Sequence, residues 1–267
     1  MNNVFDFKRF GNYFLYDLRN AKNNYGLSLL ILGCMPIVLY IIIQLFSLIF
    51  SQHLSPIAMP FKYAQIAIVA LIATIGAGTK IYGHVTEKRA GSNFLMLPAS
   101  TLEKWLSMCL IICIVVPFVL FGLQIASDAL ASWFFPNSYG ARVYELIPLQ
   151  QVKDSLIENG IRINFAGYLF LEWCESALIF TLGAIIFKKS KIAKTILCLL
   201  AISFLLSTIM MIFIGIDGVN VYFNWLEHFD TVVGATNFIN WTANITYFLT
   251  LGAMVGAMYY RIRTLKH

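Results

Sequence analysis

The strongest constraint on this chain is the length and spacing of its apolar runs. Six blocks, 27–50, 63–82, 105–126, 166–187, 195–216 and 241–260, each hold about 20 residues, the length of helix that crosses roughly 30 Å of hydrocarbon. A backbone in lipid finds no water to bond, so segments this apolar are restricted to helix. The expected fold class is therefore all-α: a polytopic membrane protein with six transmembrane helices, forming one domain over residues 1–267. Only 12% of the residues are charged, against about 25% in a soluble domain, which excludes a soluble core for most of the chain.

Lys and Arg set the orientation, because they are retained on the cytoplasmic side of a membrane. With Met1 inside, Lys8, Arg9, Arg19 and Lys22, then Lys80, Lys88, Arg89 and Lys104, then Lys188, Lys189, Lys191 and Lys194, then Arg261, Arg263 and Lys266 all fall on one side. The other side keeps Lys62, Arg142, Lys153 and Arg162 with the acids Glu145, Asp154, Glu158, Asp217, Glu227 and Asp230. Both termini are expected in the cytoplasm. The net charge of +6 follows from this flanking pattern rather than from a basic face of the kind that reads nucleic acid. The first 25 or so residues are polar and basic, so no cleavable signal peptide is expected. Cys34, Cys109, Cys113, Cys174 and Cys198 all lie in apolar stretches and read as packing residues, with no disulfide and no metal site expected.

Four segments lie outside the spans. In 1–24, Phe7, Phe10, Phe14 and Leu18 recur at helical spacing beside Lys8, Arg9 and Arg19, the pattern of an amphipathic helix in the inner interface. Residues 136–164 are polar and mixed in charge, an external cap with some helix at 152–158. Residues 217–240 carry Val219, Val221, Tyr222, Phe223, Trp225, Leu226, Phe229, Val232 and Val233, too apolar for a solvated loop, and are expected to form a re-entrant or interfacial pair of short helices between spans five and six.

The fourth segment, 83–104, is the most informative. Ser100 followed three residues later by Glu103, after Pro98, is the signature of a capping box opening span three. Ahead of it, Glu87, Lys88 and Arg89 stand beside the apolar run Phe94-Leu95-Met96-Leu97, which suits either a short cytoplasmic helix that docks on a partner or a solvated connector. The run Leu97-Pro98-Ala99-Ser100-x-x-Glu103-Lys104 at the entry to span three resembles the small six-span permeases of the ABC-2 type transporter family. The likeness extends to the layout of an inner amphipathic helix, a long inner segment between spans two and three and an apolar segment between spans five and six. It implies a permease subunit in the bacterial cytoplasmic membrane, working as a dimer with a second copy or a paralogue. A cytoplasmic ABC ATPase subunit, carrying ATP and Mg, would dock on 83–104. Glu87, Lys88, Arg89, Phe94 and Leu97 are then the coupling candidates.

This chain has no phosphate-binding G-x-x-x-x-G-K-[ST] run, no H-E-x-x-H and no G-x-S-x-G, so it is expected to be no enzyme, without catalytic residues or a cofactor of its own. Within the spans, Asp128 sits near the outer end of the third, and Glu172 and Glu175 share one side of the fourth at i and i+3. A charge in hydrocarbon costs about 2.5–3.5 kcal/mol on insertion scales, so each faces a cavity, a partner or the interface. Gly252 and Gly256 form a G-x-x-x-G pair that packs a helix within the chain or between chains. The leading expectation is an exporter of apolar or amphipathic molecules. The alternatives are a non-transporting membrane scaffold or sensor and an ion-coupled carrier using Glu172 or Glu175.

Overall fold

Helix is the only regular structure among the described residues, as backbone buried in lipid requires. The computed structural model describes residues 5–50, 57–143, 165–214 and 232–265. Ten helices follow in order: α1 Phe7–Gly33, α2 Met35–Phe50, α3 Met59–Tyr82, α4 Lys88–Met96, α5 Thr101–Leu110, α6 Val116–Phe134, α7 Pro136–Tyr139, α8 Phe165–Ile186, α9 Lys191–Ile214 and α10 Val232–Arg263. Four continuous stretches are long and apolar enough to cross a membrane: Met59–Thr86, Thr101–Phe134, Leu169–Ile186 and Lys191–Ile209. The α1–α2 pair makes a fifth if it is counted as one bent span. The last expected span, 241–260, lies inside α10, which is long enough at 32 residues but less apolar.

The N-terminal region departs from expectation. Instead of an interfacial helix over 1–24 followed by a separate span, α1 runs unbroken from Phe7 to Gly33 and bends by 47° into α2. Asp6 starts it, its carboxylate accepting from the amides of Lys8 at 2.8 Å and Arg9 at 3.1 Å. Continuity comes from a stripe at every fourth position, Tyr13, Asp17, Ala21, Tyr25, Leu29 and Gly33, all buried against the other helices. The bend falls at Cys34 because Pro36 has no amide hydrogen and its ring displaces the carbonyl four residues back. Pro117 acts similarly in span three, where the wide turn Ile111–Val115 separates α5 from α6 just ahead of it.

At the centre, α3 packs along α8, with α10 on the other side of α8 and α1 against α3, α5 and α6. Small residues set the α3–α8 distance. A Cβ at Gly78 would stand 2.6 Å from the backbone nitrogen of Thr181, while Ala73, Ala77, Ala177 and Ala184 are fully buried nearby. The α9 helix touches the rest chiefly where Thr195 seats against Gly183 and is exposed along most of its remaining length. Lys80, Lys104, Lys191 and Arg261 gather at one end of the bundle, called the basic end below. Lys62, eighteen residues before Lys80 and so about 27 Å away along α3, marks the far end.

Two expected segments are only partly described. Residues 144–164 of the cap and 217–231 of the re-entrant segment lie outside the described residues. Residues 232–240, assigned to the re-entrant segment from sequence, belong to α10.

Candidate partner-docking site at the basic end

The chain between α3 and α5 closes in a 3-10 turn, Gly83–Thr86, and the nine-residue helix α4. Glu87 stands at the N-cap of α4 in extended conformation, with its side chain 62% exposed and 3.9 Å from the ammonium of Lys191. Lys191 also donates to the carbonyl of Gly83, and the Thr86 hydroxyl donates to Phe187 at 3.4 Å. These bonds tie the start of α4 to the turn between α8 and α9. Its other end is fixed to α5. The buried Lys104 ammonium donates to the carbonyls of Phe94 at 2.7 Å and Leu95 at 3.2 Å, capping α4 and lying over the Phe94 ring at 5.0 Å.

Helix α4 is therefore turned differently from the sequence reading. Phe94 is buried in the main core rather than presented to a partner, with its ring under the Lys104 ammonium. Leu95 and Met96 take the exposed positions, Met96 at 80%. Leu97 is half-buried and Glu87 exposed; Lys88 and Arg89 open the helix between them.

The capping box is present as read, and it has a second function. Ser100 accepts from the Glu103 amide at 3.2 Å while Glu103 accepts from the Ser100 amide at 2.8 Å. The same carboxylate also receives Arg9, through Nε at 2.8 Å and Nη2 at 2.7 Å, and the Asp6 amide at 3.0 Å. Glu103 lies just ahead of the apolar part of its helix, and the hydrogen-bonded Arg9 guanidinium holds its pKa down to about 2. Arg9 was read only as a basic residue of an interfacial helix, and Asp6 was not singled out, since partners 94 and 97 residues apart leave no local signal.

A further acid escaped sequence reasoning altogether. Asp17 is 4% exposed and accepts from Tyr82 Oη of α3 at 2.9 Å and Ser107 Oγ of α5 at 2.7 Å. Its place in the stripe at every fourth position of α1 is the signal that would have found it. Two further bonds close this end: Trp105 Nε1 to the Val255 carbonyl at 2.9 Å, and Arg261 Nε to the Ile185 carbonyl at 3.1 Å, which join α10 to α5 and α8.

At the far end, Asp128 is the centre of a structural knot. It lies 3.8 Å from the Lys62 ammonium and accepts from Tyr139 Oη at 2.6 Å and the Val143 amide at 2.9 Å. Lys62 donates to the Ala141 carbonyl at 2.7 Å and sits 3.6 Å over the Tyr139 ring. Burial pushes the Tyr139 phenol above its usual range, which keeps it a donor. Glu172 and Glu175 are not drawn into this knot: Glu172 is exposed and Glu175 half-buried on α8. Gly252 and Gly256 are exposed, and a Cβ at either would meet no atom within 4 Å, so no described helix of this chain packs on that pair. Among the described residues no three His, Cys, Asp or Glu side chains converge as a metal site.

These elements define an all-helical, multi-pass membrane protein with a short amphipathic helix held at its basic end. The chain matches no protein-family model, no curated protein and no solved structure.

Proposed function

We propose that the chain is the permease subunit of a type-2 ABC transporter. On this reading it exports an apolar or amphipathic substrate across the bacterial cytoplasmic membrane, with both termini in the cytoplasm. ATP is hydrolysed on a separate ABC ATPase that docks on 83–104, and a second copy or a paralogue completes the path. The observation that carries the reading is the mounting of α4. It is capped by a buried lysine, anchored by a buried Phe94, and presents Leu95 and Met96 outward beside the charged turn at Glu87. A nine-residue helix in an exposed connector is unstable by itself. Held at both ends, it becomes a lever whose load passes into α5 on one side and the α8–α9 turn on the other.

Such a lever transmits work only if the ATPase binds it differently in its two nucleotide states. The test is co-purification of the chain with an ATPase carrying a Walker motif. Charge reversal at Glu87, Lys88 and Arg89 combined with Met96→Asp should abolish the association while the chain still inserts. An ATPase that stays bound to this variant, or none that co-purifies with the native chain, removes the reading.

A further inference from the structure

We propose that Asp17 is a proton-binding site at the basic end: as a neutral acid it pins α1 to α3 and α5, and its ionisation loosens that seam. The geometry has three parts. First, the carboxyl is withdrawn from water, within the stripe that seats α1, with Tyr13 one turn before it and Ala21 one turn after, both buried. Second, its partners are two hydroxyls from two other helices, Tyr82 Oη and Ser107 Oγ, both on Oδ2. Third, the nearby cations are engaged elsewhere. Arg9 is spent on Glu103, Lys104 on the carbonyls of Phe94 and Leu95, and Lys80 on the Ser28 hydroxyl at 2.9 Å.

The surroundings of Asp17 are those of an acid kept neutral. Tyr13 faces it from α1 itself, Tyr82 from α3, and Ser107 from α5, with Cys109 close behind Tyr82. Helix α6 meets α1 two turns or more further along, where Ser127 donates to the Gly33 carbonyl and Gly33 backs onto Leu123. Asp17 is level with the ring of basic residues rather than with the apolar middle of the bundle, since Tyr82 lies two residues past Lys80 and Ser107 three past Lys104. Protons therefore reach it from the aqueous side. Burial pushes the carboxyl pKa up, opposed only in part by the two hydroxyl donors.

The sign follows from linkage. An acid whose pKa is raised on folding binds its proton more tightly folded than unfolded, so its contribution is fully present below the ordinary carboxyl range and is lost as pH rises through the folded value. Glu103 has the opposite sign and acts at the acid end.

The test is thermal unfolding of the intact chain in detergent micelles between pH 4.5 and 8.5, native against Asp17→Asn. The amide keeps an acceptor for the hydroxyls and carries no charge. The native midpoint should fall with rising pH relative to the variant, with Asn more stable by roughly 3 °C or more at the alkaline end. Parallel profiles, or a variant less stable at every pH, overturn the proposal. Infrared difference spectra of the folded native chain give an independent reading: a protonated-carboxyl stretch, absent from Asp17→Asn, that disappears on alkalinisation within this range supports it, and no such band at pH 4.5 overturns it. Replacing sodium by N-methylglucamine at pH 8 separates the proton from a metal cation; a sodium-dependent midpoint in the native chain, absent in Asp17→Asn, assigns the site to the cation and overturns it.

Discussion

Breaking the far-end ion pair from one side should cost more than removing both charges. Lys62 and Asp128 have side chains only 4% and 5% exposed, with nitrogen and oxygen 3.8 Å apart. At an effective dielectric of about 20, that separation corresponds to an attraction of about 4 kcal/mol. Asp128→Asn removes the attraction and leaves a buried ammonium facing an amide. Its remaining support is the Ala141 carbonyl and the Tyr139 ring. A stranded buried charge costs about 3–5 kcal/mol, at least a hundredfold in the folding equilibrium. Lys62→Met should cost less, about 1–3 kcal/mol, because Asp128 keeps Tyr139 Oη and the Val143 amide as donors.

The combined variant removes the stranded charge, so its loss should fall short of the sum by about 1–3 kcal/mol. Reversible SDS titration in mixed micelles, followed by the fluorescence of the five tryptophans, reads all four corners of the cycle. A loss below about 1 kcal/mol for Asp128→Asn, or strict additivity in the double variant, would refute the buried-pair argument.

Two further outcomes follow from the packing. Arg9→Met removes the guanidinium that holds the Glu103 pKa at about 2. The stability that this depressed pKa supplies is present above the ordinary carboxyl range and lost as pH falls toward about 2, so the native chain should be more stable than the variant near neutrality and the difference should close as pH is lowered, measurable as unfolding midpoints that converge at the acid end. Gly78→Val places a branched side chain where even a Cβ stands 2.6 Å from the Thr181 backbone, so α3 and α8 must separate at a cost of about 1–3 kcal/mol, read by the same titration; an unchanged midpoint would show that the two helices are not in contact there.

What the sequence disclosed and what it hid divide along a physical line. The helices of the apolar blocks were legible because hydrocarbon thickness acts on each block separately, and the Ser100–Glu103 cap because its partners are three residues apart. Long-range pairing was not. The join of α1 to its span depended on a buried stripe facing α3, α5 and α6, and the polar residues Arg19, Lys22, Asn23 and Asn24 on the opposite, exposed face concealed it. Phe94 read as a surface anchor because an apolar run in a short helix does not reveal which member turns inward. That is settled by packing against residues distant in the sequence, which place the Phe94 ring in the main core. Asp128 read as a lone intramembrane charge until Lys62, 66 residues earlier, was placed beside it.

The two ends of α4 are held unequally, and this decides where a load on it goes. Toward α5 the attachments are buried and short, with Lys104 at 2.7 Å from the Phe94 carbonyl and the Phe94 ring in the core. Toward the α8–α9 turn they pass mainly through one partly exposed side chain, Lys191, whose ion pair with Glu87 spans 3.9 Å, supplemented by the 3.4 Å bond from Thr86. Partly exposed contacts open at lower cost than buried ones. A pull on α4 should therefore carry α5 with it and part the seam beside α8 and α9, while the Lys62–Asp128 knot keeps α3 and α6 together at the far end. Hydrogen exchange measures the asymmetry: Lys191→Met should leave amide protection in 88–96 nearly unchanged, whereas Lys104→Met should lower it by tenfold or more, the loss of about 1.4 kcal/mol or more of cap and packing. Equal loss of protection in both variants would place the pivot of α4 at its middle and remove the lever.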